Sequence, residues 1–287
     1  MIENPLRELL EKKSCLRVIE SVNALEAIII RRLSEDNKGF DALWLSGFCH
    51  SAWKGMPDNE SMPIETKLRT IEEIRRVCGM PIIADCDTGG TPDELCRSIS
   101  LFSRLVSAVV VEDKRGVKRN SLYGRSVSQE MEEISVFSDK LKLAAESAEK
   151  FNIMLFGRIE SFICGENMET ALKRAESYIS AGADGIVIHS ISSDGMDAFS
   201  FCESLRKMYK NIPIIMIPTV YNGYSFDELC DKGANIVIYA NQLTRSAVMA
   251  MEKTAESILN EGCSRLSDNS YCVSPQKILA MIEDDII

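Results

Sequence analysis

Several things are scarce in this 287-residue chain. It has two histidines, two tryptophans, no Cys-x-x-Cys pair, no glycine-rich phosphate loop and no apolar run near the length of a membrane span. Without paired cysteines or more histidine, a structural zinc site is excluded in practice. Ten cysteines are present, but they are scattered, as small buried hydrophobes of a reducing compartment would be. The absence of G-x-G-x-x-G and of a Walker loop argues against a dinucleotide or P-loop site. A membrane helix needs about 20 apolar residues, so none is expected. Met1-Ile2-Glu3-Asn4-Pro5 lacks the basic and apolar regions of a signal peptide, and a cytoplasmic location is the expectation. Basic charge is short as well. The net charge of −10 argues against nucleic-acid binding, which needs a basic face, but leaves room for a small anionic substrate bound in a locally positive site.

What the chain does have is a 45% apolar fraction, ample for one large core, and eight short apolar runs spaced by helix-like segments. The runs cover 16–20, 42–46, 82–85, 108–112, 154–158, 185–189, 214–218 and 236–240. Continuous apolar runs of this length read as parallel strands buried on both faces. Between them, Thr91-Pro92-Asp93-Glu94 opens a helix with Thr91 as N-cap and Pro92 at its first position. Segments 168–181 and 224–232 end at Gly182 and Gly233, as left-handed helix termini do. Eight β-then-α units predict a closed (β/α)₈ barrel over 1–260, with an open doubly wound sheet as the alternative. The remainder, 261–287, is a polar tail ending in a helical piece at 275–282, which either packs on the barrel or a neighbouring subunit or frays.

The chemistry sits at the strand ends. Asp85 and Asp87 close the third run, Glu112 the fourth, Arg158 the fifth and His189 the sixth; the C-terminal rim is where α/β barrels keep their sites. Convergent carboxylates suit Mg²⁺ better than softer metals. Asp85 is therefore the expected anchor of Mg²⁺, with Asp58, Asp87 and Glu112 near it directly or through water. Arg158 offers a fork for carboxylate or phosphoryl oxygens, His189 stands in strand-end register, and Glu160 is placed to orient a neighbour. Ser46-Gly47-Phe48 could bind a carboxylate through backbone N–H groups and the Ser46 hydroxyl. Segment 47–61 reads as a loop carrying His50, Trp53, Asp58 and Glu60. Segment 114–129 reads as a basic, flexible lid with Lys114, Arg115, Lys118, Arg119 and Arg125.

Taken together, Trp44-Leu45-Ser46-Gly47, Asp85-x-Asp87-Thr88-Gly89, Val111-Glu112-Asp113-Lys114, Lys118-x-Asn120-Ser121, Gly157-Arg158-Ile159-Glu160 and Ile188-His189-Ser190 resemble the phosphoenolpyruvate mutase branch of the isocitrate lyase superfamily. The likeness runs in order from about residue 15 to residue 258. It implies a barrel that exchanges its last helix with a neighbour in a homodimer or homotetramer. It also implies Mg²⁺ and a phosphoryl shift between phosphoenolpyruvate and phosphonopyruvate. By the same resemblance Asn120, Arg158 and His189 hold the phosphoryl group, Lys118 closes the lid, and Trp44, Ser46, Gly47, Phe48, Ser121, Leu122 and Glu160 surround the substrate. Asp58 is either a metal-side carboxylate, the reading adopted here, or a nucleophile. Carbon–carbon lyases of the superfamily carry a lid cysteine in a Lys-Lys/Arg-Cys-Gly-His motif. Here the lid reads Lys118-Arg119-Asn120-Ser121, which makes lyase chemistry the weaker expectation. Related phosphonopyruvate hydrolases carry Thr where Asn120 stands, so hydrolysis is the nearer alternative. A lapsed barrel that only binds a dicarboxylate is the non-catalytic one. The chain departs from the mutase pattern at Gly90-Thr91, where an aromatic residue is usual, and at Gly116-Val117, where Phe-Pro is usual.

Overall fold

The structure, a computed structural model, describes residues 4–34 and 39–283; positions 1–3 and 35–38 of the expected barrel and 284–287 of the expected tail lie outside it. Eight parallel strands close into a barrel: β1 (Leu16–Glu20), β2 (Ala42–Leu45), β3 (Ile82–Asp85), β4 (Ala108–Glu112), β5 (Met154–Ile159), β6 (Gly185–Ile188), β7 (Ile214–Met216) and β8 (Ile236–Tyr239). β8 pairs with β1, which removes every edge and the open-sheet alternative with it. The strands begin where the apolar runs begin. Four end one or two residues early, at Leu45, Ile188, Met216 and Tyr239.

The pleat decides which side chains reach the mouth. Val18, Trp44, Ile83, Val110, Phe156, Val187, Ile215 and Ile238 fill the barrel interior, and their neighbours one residue away pack outward against the helices. Two residues above this inner layer, on the same face, stand Glu20, Ser46, Asp85, Glu112, Arg158 and His189. The strand period thus stacks one polar layer on an apolar plug. Glu112 and Arg158 are direct cross-strand partners on β4 and β5.

The helices follow the expected signals. Thr91 and Glu94 form a reciprocal capping box on Pro92–Leu101, and Met168–Ser180 and Phe226–Asp231 end before Gly182 (φ +103°) and Gly233 (φ +102°). Segment 47–61 differs from the expected loop. Its first half is a helix, Gly47–Trp53, capped by the Ser46 hydroxyl, which accepts from the Cys49 N–H. After the long helix Gln242–Glu261 come Arg265–Ser270 and Pro275–Glu283. The last helix buries none of its residues. Among the described residues no helix is long and apolar enough to cross a membrane.

Candidate active site

A cavity of about 60 Å³ opens at the C-terminal mouth. Of the residues expected from sequence, Trp44, Ser46, Phe48, Asp58, Asp85, Lys118, Asn120, Ser121, Leu122, Arg158 and His189 line it. Gly47, Asp87, Glu112 and Glu160 do not; they stand behind the lining and hold it. Gly47 gives its N–H to Asp85 Oδ2 (3.2 Å), so in this structure that donor serves the acidic side chain. A Cβ at Gly47 would lie 2.5 Å from Asp87 Oδ1, and only glycine lets the two acids come so near the backbone. Asp85 is fixed a second time by the Asp87 N–H to Oδ1 (3.1 Å).

The acidic side is far from uniform. Burial and the neighbouring Asp87 raise the Asp85 carboxyl above its usual range. Burial alone would raise Asp87 too, but the Lys118 and Lys67 ammoniums overcome it and hold Asp87 low. Glu112 is pushed up to about 7 by burial, although Arg158 (3.5 Å) and Lys114 (3.3 Å) stand near it. Both Glu112 oxygens are buried without a hydrogen-bond partner. Such orphaned carboxylate oxygens are costly unless a cation or water satisfies them. Beside Asp85 they fit a hard divalent ion that keeps several waters. Among the described residues no three acidic, His or Cys side chains converge as a ready cage. The reason is visible: both Asp87 oxygens are turned onto the lysines, Oδ1 in a short ion pair with Lys118 and Oδ2 3.3 Å from Lys67.

The opposite side is cationic. Arg158 Nε donates to Glu160 Oε1, and its Nη2 lies 3.1 Å from Ser121 Oγ and 2.9 Å from His189 Nδ1. His189 Nδ1 also lies 2.9 Å from Glu160 Oε1. The carboxylate is the stronger partner for a ring proton, which leaves Nε2 as the free nitrogen of the ring. Burial lowers the His189 pKa, so the ring is neutral at rest; Glu160 is held well below its usual range, against its burial, chiefly by Arg158.

Segment 114–129, the expected lid, reaches the cavity through Lys118, Asn120, Ser121 and Leu122. Lys118 Nζ donates to Asp58 Oδ1 (2.6 Å), and Asn120 Nδ2 donates to Asp58 Oδ2 (2.7 Å). Asn120 also caps the short 3₁₀ segment Ser121–Ser126. The lid's stem is a two-stranded ribbon, Lys114–Arg115 against Glu130–Met131. Lys114, expected among the flexible basic residues, is instead a buried strut. It donates to Arg119 O (2.8 Å), Ser121 Oγ (2.9 Å) and Gln129 Oε1 (3.1 Å).

Sequence reasoning missed Lys67, Thr219 and Asn241. Thr219 and Asn241 line the cavity from the β7 and β8 ends, and being uncharged they carry no pattern in sequence. Lys67 lies in the helix Ile64–Val77, buried, with Nζ 2.6 Å from Asp85 O. Its signal was faint: a lysine where the 3.6-residue period of Thr70, Ile71 and Ile74 calls for an inward residue. His50 is scaffold; its Nε2 meets Thr70 Oγ1 at 2.9 Å and burial lowers its pKa to about 4.

A closed (β/α)₈ barrel with an acidic pair facing an Arg–His pair under a lysine-bearing lid defines a class, the barrel enzymes of the phosphoenolpyruvate mutase/isocitrate lyase superfamily. Residues 6–259 match the family model described as phosphoenolpyruvate phosphomutase, and the chain belongs to that family. It is 33% identical to the phosphoenolpyruvate phosphomutase of Tetrahymena pyriformis over 261 residues, covering 89% of this chain and 83% of the relative. Among solved structures, the phosphoenolpyruvate phosphomutase from Streptomyces platensis subsp. rosaceus superposes with a TM-score of 0.89 at 29% identity, covering 98% and 95% of the two chains. A phosphonopyruvate hydrolase in complex with oxalate and Mg²⁺ superposes at 0.86 with 27% identity, covering 98% and 94%.

Proposed function

We propose that this protein is a Mg²⁺-dependent phosphoenolpyruvate mutase, which interconverts phosphoenolpyruvate and phosphonopyruvate and so makes the carbon–phosphorus bond of phosphonate biosynthesis. The observation that carries this reading is the hydrogen bond from Asn120 to Asp58 under a lid that buries Lys118. It joins the residue that separates mutase from hydrolase in the resemblance to the wall of a small cavity at the barrel mouth. Asp85 and Glu112, with Asp87 and Asp58 nearby, are the residues to hold Mg²⁺, whose chemistry is to neutralise and orient the oxygens of a ketoacid.

The chain's own residues supply the rest. A loosely bonded phosphoryl group in transfer spreads charge over three oxygens. Arg158, tied to Glu160 and Ser121, offers a fixed guanidinium to them. His189 Nε2 takes a proton as the dianion binds, and Asn120 Nδ2 donates from the lid. Ser46 and Phe48 border the carboxylate and methylene end, and Trp44 forms the apolar floor. Asp58, held by two lid residues, is a lid catch and metal-side carboxylate; an anion so engaged is a poor nucleophile towards another anion. Lid closure excludes the water that would intercept the group. Forming the carbon–phosphorus bond from an enol phosphate is uphill, so a later reaction must draw phosphonopyruvate away.

The assembly is a homodimer or homotetramer in which 261–283 packs on a neighbouring subunit. The support is apolar surface left open on the last helices and the turn between them, with Leu259 83%, Val273 52% and Leu279 57% exposed.

Phosphorus-31 NMR of the protein with Mg²⁺ and phosphonopyruvate tests the activity. Phosphoenolpyruvate as product is expected. Inorganic phosphate would make the protein a hydrolase, and an unchanged spectrum would make it a lapsed barrel.

A further inference from the structure

Asp87 is held in an unusual way. Its backbone is in the left-handed region (φ +56°), rare for a residue with a side chain, and Glu60, which accepts from the Thr88 N–H and hydroxyl beside it, is another such residue (φ +61°). Its two oxygens are divided between two ammoniums. Oδ1 belongs to Lys118, which comes from the lid; Oδ2 belongs to Lys67, which comes from the helix Ile64–Val77. Lys67 also donates to Asp85 O at 2.6 Å, so one side chain ties both ends of the Asp85-Cys86-Asp87 turn. The two lysines differ in one respect: Lys118 belongs to the segment 114–129 outside the barrel, whereas Lys67 is fixed on a barrel helix.

A carboxylate that is buried and loses its only cation pays a heavy desolvation cost, which turning away relieves. Asp87 escapes this because Lys67 remains beside it. We infer that Lys67 is a positioning residue that keeps Asp87 aimed, so that the lid lysine finds a preformed catch each time the lid closes. Lys67 touches neither the cavity nor the substrate position; it acts through Asp87. The inference rests on the mutase reading only where it concerns products, and lid closure itself can be read without substrate.

Two measurements test it. In the first, the full-length wild type, Lys67→Met and Lys67→Arg are digested briefly with trypsin, and cleavage after Arg115, Lys118 and Arg119 is followed by mass spectrometry, with cleavage elsewhere in the chain as reference. Lid cleavage about tenfold faster in Lys67→Met, and within about threefold of wild type in Lys67→Arg, is expected if closure of the lid sets its protection. Lid cleavage of Lys67→Met at the wild-type rate overturns the inference. So does a rise equal at lid and reference sites, because that is general loosening. Should Lys67→Met fail to fold, Lys67→Gln removes the same charge with a polar end retained and is held to the same criterion. The second measurement is the ratio of inorganic phosphate to phosphoenolpyruvate formed from phosphonopyruvate. A lid that closes poorly lets PO₃⁻ pass to water as the carbon–phosphorus bond breaks, and the pyruvate enolate left behind takes a proton. The ratio rises in Lys67→Met and returns towards wild type in Lys67→Arg; equal loss of both products contradicts the positioning role. If the wild type forms no phosphoenolpyruvate, the mutase reading fails, while the trypsin result still decides the inference about Lys67.

Discussion

Glu20 and Glu112 occupy the same place in their strands, the last inward position of β1 and of β4, and both are fully buried. Their surroundings divide the mouth of the barrel in two. Glu20 is satisfied: Oε1 accepts from the Thr244 N–H and Oε2 from the Cys49 thiol at 2.8 Å. It locks the helix Gln242–Glu261 over β1. Glu112 has cations within ion-pair distance but no hydrogen bond to either oxygen. One carboxylate closes the β8–β1 side of the barrel; the other keeps coordinating capacity open on the β3–β5 side. For these two glutamates at matching strand positions, the tertiary neighbours decide which one has its oxygens claimed.

The largest expected effect comes from removing the anchor of the open side. Asp85→Ala should lower kcat/KM for phosphonopyruvate by at least about 10³-fold, about 4 kcal/mol of transition-state stabilisation; near-normal steady-state rates would refute its assignment. Next comes the matched pair that breaks the comparison itself. Glu112→Gln should weaken Mg²⁺ binding by roughly 10–100-fold while thermal stability changes little, since neither Glu112 oxygen holds a hydrogen bond that the amide would lose. Glu20→Gln should lose about 1–3 kcal/mol of stability through its disturbed hydrogen bonds, with kcat per folded molecule within about twofold. Calorimetric melting and metal titration of both variants read the contrast, and the same response from both would dissolve it. The smallest effect concerns pH. Burial depresses His189, and an arriving phosphoryl dianion raises it, so substrate binding takes up a proton at Nε2. Affinity should be highest below the free-enzyme pKa and decline as pH rises through the bound one, by up to about tenfold per unit. In His189→Asn the decline should flatten; a slope as steep as that of the wild type would place the titration elsewhere.

Much of the site was legible before the fold because of one regularity. Asp85, Glu112, Arg158 and His189 each stand at or just past the end of an apolar run, and parallel strands of one barrel must present those ends on one face. The lid was legible through its length and charge, but the fate of its lysines was not. Lys114 and Lys118 look alike in sequence, yet one braces the stem and the other reaches the acidic wall, because the ribbon at 114–115 turns the first inward beneath Ser121. Lys67 escaped notice because a lysine in a helix is ordinarily solvated; its target, the Asp85–Asp87 turn, is 18 to 20 residues away in the chain.

Sequence alone determined the eight parallel strands and the polar rank at their ends, since burial on both faces and a period of two leave a parallel strand little freedom; the pairing of β8 with β1 decided that they close into a barrel. Tertiary structure alone decided which carboxylates are spent and which are open, and that both Asp87 oxygens answer to lysines. Those outcomes depend on which donors lie within about 3 Å, a distance that chain order does not encode.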